Sequence, residues 1–187
     1  MDRGRAVVGA STIGALLLAA GLVIELVPAP GLTTDITAAT ACAHLGEEPS
    51  TVSAWFLTQF DNDTDHGIRV LSVRPGAVEG VRLEDFAIAP HPTTTDPGLV
   101  ATDDGARPPE YGPAVPVDAG FTVPAHSTLN VVGHVVSGTG DGTGQVRDIV
   151  VTAEDRLGRL QSVTQHAAFG LGPGSDGSVM TFNCDGT

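Results

Sequence analysis

A chain of 187 residues with a formal net charge of −13, 41% hydrophobic and 4% aromatic residues suits one ordinary domain plus a hydrophobic appendage. All nine basic residues are arginines and there is no lysine, so no basic stripe exists to neutralise phosphates, which excludes nucleic acid as a partner. The same acid excess, with a sequence pI near 4.5, opposes electrostatic binding to an anionic membrane surface, so any membrane attachment has to be hydrophobic.

Asp2, Arg3 and Arg5 lead into Ala6 to Ile24, 19 positions without a charge, and Leu26 and Val27 extend the run past Glu25. The apolar core of a secretory signal spans ~7–15 residues and a membrane-crossing helix ~17–25, so residues 6–27 are expected to form a retained transmembrane anchor. A cut after Ala29 would place Pro30 next, and the small-residue pattern Ala39-Thr40-Ala41 lies far beyond the apolar run, so secretion after cleavage is the less favoured outcome. Arg3 and Arg5, with no further base before Arg69, put residues 1–5 in the cytoplasm and everything after the anchor outside the cell membrane.

Residues 28–50, rich in Pro, Ala and Thr, read as a spacer leading into an external domain over 51–187. Cys42 and Cys184 bracket nearly all of that external chain, and an oxidising compartment makes a disulfide between them the expected state. Closing so long a loop stabilises a fold by up to ~5 kcal/mol in the chain-entropy picture. A thiol metal site has less to recommend it, because Cys42-Ala43-His44 offers one imidazole and Cys184 none.

Seven short runs rich in Val, Ile, Phe and Thr follow, separated by Gly, Pro, Asp and Asn clusters, at 51–60, 67–73, 80–88, 127–136, 145–154, 160–169 and 178–183. Without an external amphipathic helix, this pattern predicts an all-β sandwich of about seven strands. Alternation points Val52, Ala54, Phe56 and Phe60 inward from the first run, Leu129, Val131 and Val135 (or Val132 and Val136) from the fourth, and Ile149, Val151 and Ala153 from the fifth. The fourth run is apolar on both faces, so its second face needs a cover. Trp55, opposite Phe56, either packs under such a cover or stands exposed as a contact residue. Residues 89–120 carry seven prolines and an Asp103-Asp104-Gly105 turn, and so long a connection is either a binding loop held by its prolines or a loosely ordered surface excursion.

Three segments resemble known elements. FLTQFDNDTDHGIRVLSVRPG reads as strand, polar turn, strand; FTVPAHSTLNVVGHVV as a proline-containing turn before a Val-rich strand; VRDIVVTAEDRLGRLQSVTQH as a hairpin turning at Asp155 to Gly158. Over residues 50–170 they resemble bacterial immunoglobulin-like domains of the fibronectin or transport-associated kind. With the anchor and a lysine-free composition rich in Ala, Val, Gly, Thr and Asp, of the kind a GC-rich bacterial genome produces, the chain is similar to small actinobacterial membrane-anchored proteins of no assigned activity. The resemblance implies an immunoglobulin-like sandwich and brings no catalytic motif, and the cysteines do not follow the Cys-Trp-Cys arrangement of antibody domains.

One constellation invites a cation. Asp61, Asp63 and Asp65 stand at alternate positions of the first turn, where oxygen ligands can begin a calcium site, yet His66 replaces the glycine of an EF-hand loop and Ser72 its terminal glutamate. A solvated acidic turn accounts for the same residues. Gly172 to Gly177 fits G-x-G-x-x-G by letter with too little chain beyond it for a nucleotide-binding unit. The six histidines are dispersed; His134 and His166 fall on expected strands and would meet only across a sheet. No nucleophile motif is present, so no catalytic residue and no organic cofactor site is assigned. The expected function is contact with an envelope protein through the 89–120 connection or an edge strand, with a calcium-binding module as the alternative.

Overall fold

The structure, a computed structural model, describes residues 31–35, 39–45, 53–93, 96–102, 105–118, 120–137 and 144–173. The expected anchor at 6–27, the run at 178–183 and Cys184, with the disulfide expected of it, lie outside the described residues. Among the described residues no helix is long and apolar enough to cross a membrane.

Among the described residues eleven strands form two sheets: β1 (Leu32–Thr33), β2 (Ala39–Leu45), β3 (Ser53–Asn62), β4 (Ile68–Glu79), β5 (Val81–Ile88), β6 (Gly98–Thr102), β7 (Val115–Pro116), β8 (Thr122–Val123), β9 (Ser127–Ser137), β10 (Gly144–Glu154) and β11 (Leu160–Pro173). One sheet runs β1-β3-β9-β5-β7, with β6 also on β3, and the other β2-β11-β10-β4-β8. Taking β3, β4, β5, β9, β10 and β11 as strands B to G, the first sheet contains B-E-D and the second G-F-C, which is the immunoglobulin order. The strand preceding B is split between the sheets, β1 lying antiparallel to β3 and β2 parallel to β11.

The alternation read from the sequence sets the core. Ala54, Phe56 and Phe60 face Ile149, Val151, Ala153 and Phe169 across the sandwich, with Leu129, Val131 and Val135 from the central strand. Phe56 stacks on Phe169 with centroids 4.4 Å apart and planes 7° from parallel, joining the two sheets. Gly133 interrupts the Val-rich β9 because the Phe56 ring occupies the place of its side chain: a Cβ there would sit 2.5 Å from two ring carbons. A polar pair crosses the main core, Thr58 Oγ1 donating to Gln165 Oε1, with both residues fully buried.

Gly80, at φ 68°, is the whole connection between β4 and β5. β4 pairs with β10 up to Glu79, and β5 pairs with β9 from Val81, so the chain changes sheet at one left-handed residue. Pro116 lies in the edge strand β7, and Pro75 in the part of β4 beyond its short pairing with β8, so each has one side of its backbone outside the ladder.

Within residues 28–50, expected as a spacer, the described residues form β1 and β2, both in the unit that begins at Gly31. Leu32 and Ala43 are buried in the core. Ala-rich ATACAHL has weak strand propensity of its own, and a parallel partner more than a hundred residues away supplies its hydrogen bonds. For the same reason β11 runs through Gly170 and Gly172 to Pro173, since it is paired on both sides.

Gly133→Ala is expected to lower stability by about 1–3 kcal/mol, because a methyl group must displace the Phe56 ring and loosen its stack on Phe169. Denaturant unfolding measures this, and a midpoint equal to that of the unsubstituted chain would contradict the packing described.

Candidate interaction surface

On its outer side the first sheet carries Trp55, Leu57, Val132 and Ala87, which pair across β3, β9 and β5 and form a second apolar cluster with Ala89 and Tyr111. Their cover is the 89–120 connection. It leaves β5 with Ala89 N–H bonded to Asn130 O at 2.9 Å, reaches the far edge of β3 as β6, and makes a short 3₁₀ turn at Pro109–Tyr111. It then adds β7 to β5, and just past residue 120 the chain adds β8 to the edge of β4 in the other sheet. Thr93 N–H to Glu110 O, at 2.7 Å, closes the connection on itself. The described residues of this stretch are hydrogen-bonded along their course, and Trp55 lies under them with 1% of its surface exposed.

Trp55 fastens the connection in three ways. Its indole N–H donates to Gly105 O at 3.0 Å, the Arg107 guanidinium lies 5.0 Å over its ring, and His134 stacks on it at 4.6 Å with the planes 4° from parallel. His134 is 7% exposed, its Nε2 has no hydrogen-bond partner, and burial lowers its pKa against the opposing pull of Glu84 and Asp85. The imidazole is therefore held neutral near physiological pH. A Cβ on Gly105, at φ 70°, would come to 3.5 Å from the His134 ring, which leaves the loop close against the stack.

Where the connection doubles back, Pro97, Gly98, Leu99, Val100 and Tyr111 line a cleft of about 210 Å³, with Asp96 and Glu110 among its lining residues. Burial and the neighbouring Glu110 carboxylate push the Tyr111 phenol up to about 12, so it stays protonated and forms wall rather than base. The arrangement offers apolar surface and negative charge and contains no nucleophile–base pair.

The structure does not bring the three turn carboxylates together. Asp61 Oδ1 accepts from Thr128 Oγ1 at 2.8 Å, Asp63 Oδ2 from Thr33 Oγ1 at 3.2 Å, and Asp65 Oδ1 lies 3.0 Å from His126 Nε2. Among the described residues no group of three or more His, Cys, Asp or Glu is placed to hold a metal. The residue that organises this turn is Asn62, 1% exposed, whose Nδ2 contacts the carbonyls of His66, Val123 and Pro124 at 2.7–3.1 Å while Oδ1 accepts from Thr64 N and Oγ1. Sequence reasoning passed over it as one polar residue among acids; the Asx-turn pattern Asn-x-Thr is the signal it carried. His134 and His166 do not meet either: they lie in different sheets, and His166 Nδ1 is 3.1 Å from Asp148 Oδ1.

No protein-family model matches the chain, and no curated protein matches it. Among solved structures it is similar to the ASH / PapD-like domain of human CEP192 (PapD-like domain 7), at 8% identity and a TM-score of 0.46, over 80% of this chain and 92% of that one.

Neutral His134 favours the folded chain, so its contribution is complete above the ordinary histidine value of about 6.5 and is lost as pH falls below it, through the lower value in the folded state. Between these values the unfolded chain binds the proton and the native chain does not. His134→Phe keeps a ring on Trp55 and removes the titration, so its stability should fall less than that of the unsubstituted chain between about pH 7 and 5. Denaturant midpoints read from Trp55 fluorescence measure this, and parallel losses in the two chains would contradict it.

Proposed function

We propose that this chain is a membrane-anchored extracytoplasmic interaction module, and that the 89–120 connection supplies its contact surface at the cleft between β6 and the 3₁₀ turn. The single observation that supports this reading is that the connection is built down onto the sheet by its own buried cluster and still leaves an open cleft at its turning point. A long segment that only bridged β5 and β9 would need neither β6 nor the hollow beside it. The apolar wall of Leu99, Val100 and Tyr111 beside the Glu110 carboxylate suits an aliphatic side chain ending in positive charge, carried by an extended segment of an envelope protein. Anchoring through residues 6–27, with the domain outside the membrane, belongs to the same proposal and rests on the length and flanking charges of that run.

Deleting the connection would be a poor test, because Trp55, Leu57 and Val132 would lose their cover. A photoreactive residue in place of Val100, 37% exposed, is expected to crosslink the full chain to an envelope protein in the native membrane, and Glu110→Lys to abolish the adduct by reversing the charge beside it. An adduct unaffected by Glu110→Lys, or none from Val100, would overturn the assignment of the cleft.

A further inference from the structure

The hairpin joining β10 to β11 exposes two leucines out of keeping with the rest of the surface. Leu157 and Leu160 are 65% and 68% exposed, whereas the next large hydrophobic among the described residues, Val78, is 41% exposed. The turn that displays them is rigid. Asp155 Oδ1 accepts from Leu157 N–H at 2.8 Å and Arg159 N–H at 2.9 Å, and Oδ2 takes the Arg159 guanidinium through Nε and a terminal nitrogen, each at 2.7 Å. These bonds outweigh the effect of burial and hold the Asp155 carboxyl below its usual range.

The hairpin lies where the chain enters the domain. Gln161, next to Leu160, donates from Nε2 to Leu32 O at 3.1 Å, and a Cβ on Gly31 would overlap the Gln161 side chain. Only Pro28, Ala29 and Pro30 separate Gly31 from Val27, the last residue of the 19-position apolar run and its extension. Four residue steps span at most about 14 Å. If residues 6–27 cross a bilayer, this end of the sandwich is tethered against its surface.

We propose that the β10–β11 tip is a second membrane contact, in which Leu157 and Leu160 insert at the boundary of headgroups and acyl chains. This rests on the anchor reading above. The occupant is lipid rather than a basic-patch ligand: at this end Arg159 is committed to Asp155 and Arg69 lies beside Glu154, so that exposed Arg156 is outnumbered by Asp63 and Asp65. Insertion is thus apolar and suits zwitterionic lipid; anionic lipid works against it.

The test uses the full chain in phosphatidylcholine vesicles. Trp55, the only tryptophan, is buried and serves as the background. Leu157→Trp and Leu160→Trp are each expected to add emission that brominated acyl chains quench, at a depth of about 5–10 Å, while Val78→Trp, at the other end of β4, stays unquenched. Replacing part of the lipid with phosphatidylglycerol should reduce quenching at the tip. A chain that floats with vesicles but shows no quenching at either leucine position overturns the tip contact and leaves the anchor standing. A chain that does not float overturns the anchor reading itself. Equal quenching of Val78→Trp would mean a domain lying flat, and protection of the tip tryptophans by a concentration-dependent dimer would mean a second copy; each overturns the proposal.

Discussion

Two central strands that are apolar on both faces have to be covered twice, and this constraint organises the domain. β3 and β9 give Phe56, Phe60, Leu129 and Val131 to the space between the sheets and Trp55, Leu57 and Val132 to the opposite side. The second sheet covers the first set. Nothing in a seven-strand sandwich covers the other, so the segment between β5 and β9 is lengthened into a course that crosses the outer face, pairs at three sheet edges and brings Tyr111 and Ala114 down on the exposed apolar side chains. Each large aliphatic or aromatic side chain buried this way contributes on the order of 1.5–3 kcal/mol against exposure, before the entropy of ordering the connection is set against it.

Trp55 concentrates that contact at one place. A single indole receives a stacked imidazole, a guanidinium and a carbonyl acceptor, two of them supplied by the connection. Fixing 105–107 in this way also fixes what lies on either side: β6, which pairs with Ser53 to Leu57 of the same strand, and the 3₁₀ turn that carries Tyr111. The cleft is therefore a product of the covering, and its walls are as rigid as the cluster beneath them. At one end of the sandwich, Asn62 and Asp155 perform a comparable task, each using one side chain to satisfy several groups of its turn.

Much of the sandwich was legible in the sequence because period-two alternation carries the information directly. Ala54, Phe56, Ile149, Val151 and Ala153 face where their spacing puts them, and the double apolar character of residues 129–136 already demanded a second cover. What escaped was non-local. β2, with three alanines among its seven residues, has little to announce it and is made a strand by pairing with β11, and the short β6, β7 and β8 exist because edges of longer strands were open. The partners of the acidic turn are non-local too. Carboxylates at alternate positions suggest a cation, but hydrogen bonds to Thr128 and Thr33 and the His126 neighbour spread them apart, while the buried amide of Asn62 holds the turn.

The central claim is that the connection is part of the folded domain and not a loop laid over it. Native-state hydrogen exchange tests this most directly, at the amides of Ala89, Thr93, Tyr111 and Gly112, whose acceptors are Asn130 O, Glu110 O, Pro108 O and Pro109 O. The account predicts that these amides, with the Trp55 indole N–H bonded to Gly105 O, exchange on the timescale of the β9 ladder. Exchange at the rate of an open chain, while β3 and β9 remain protected, would contradict it.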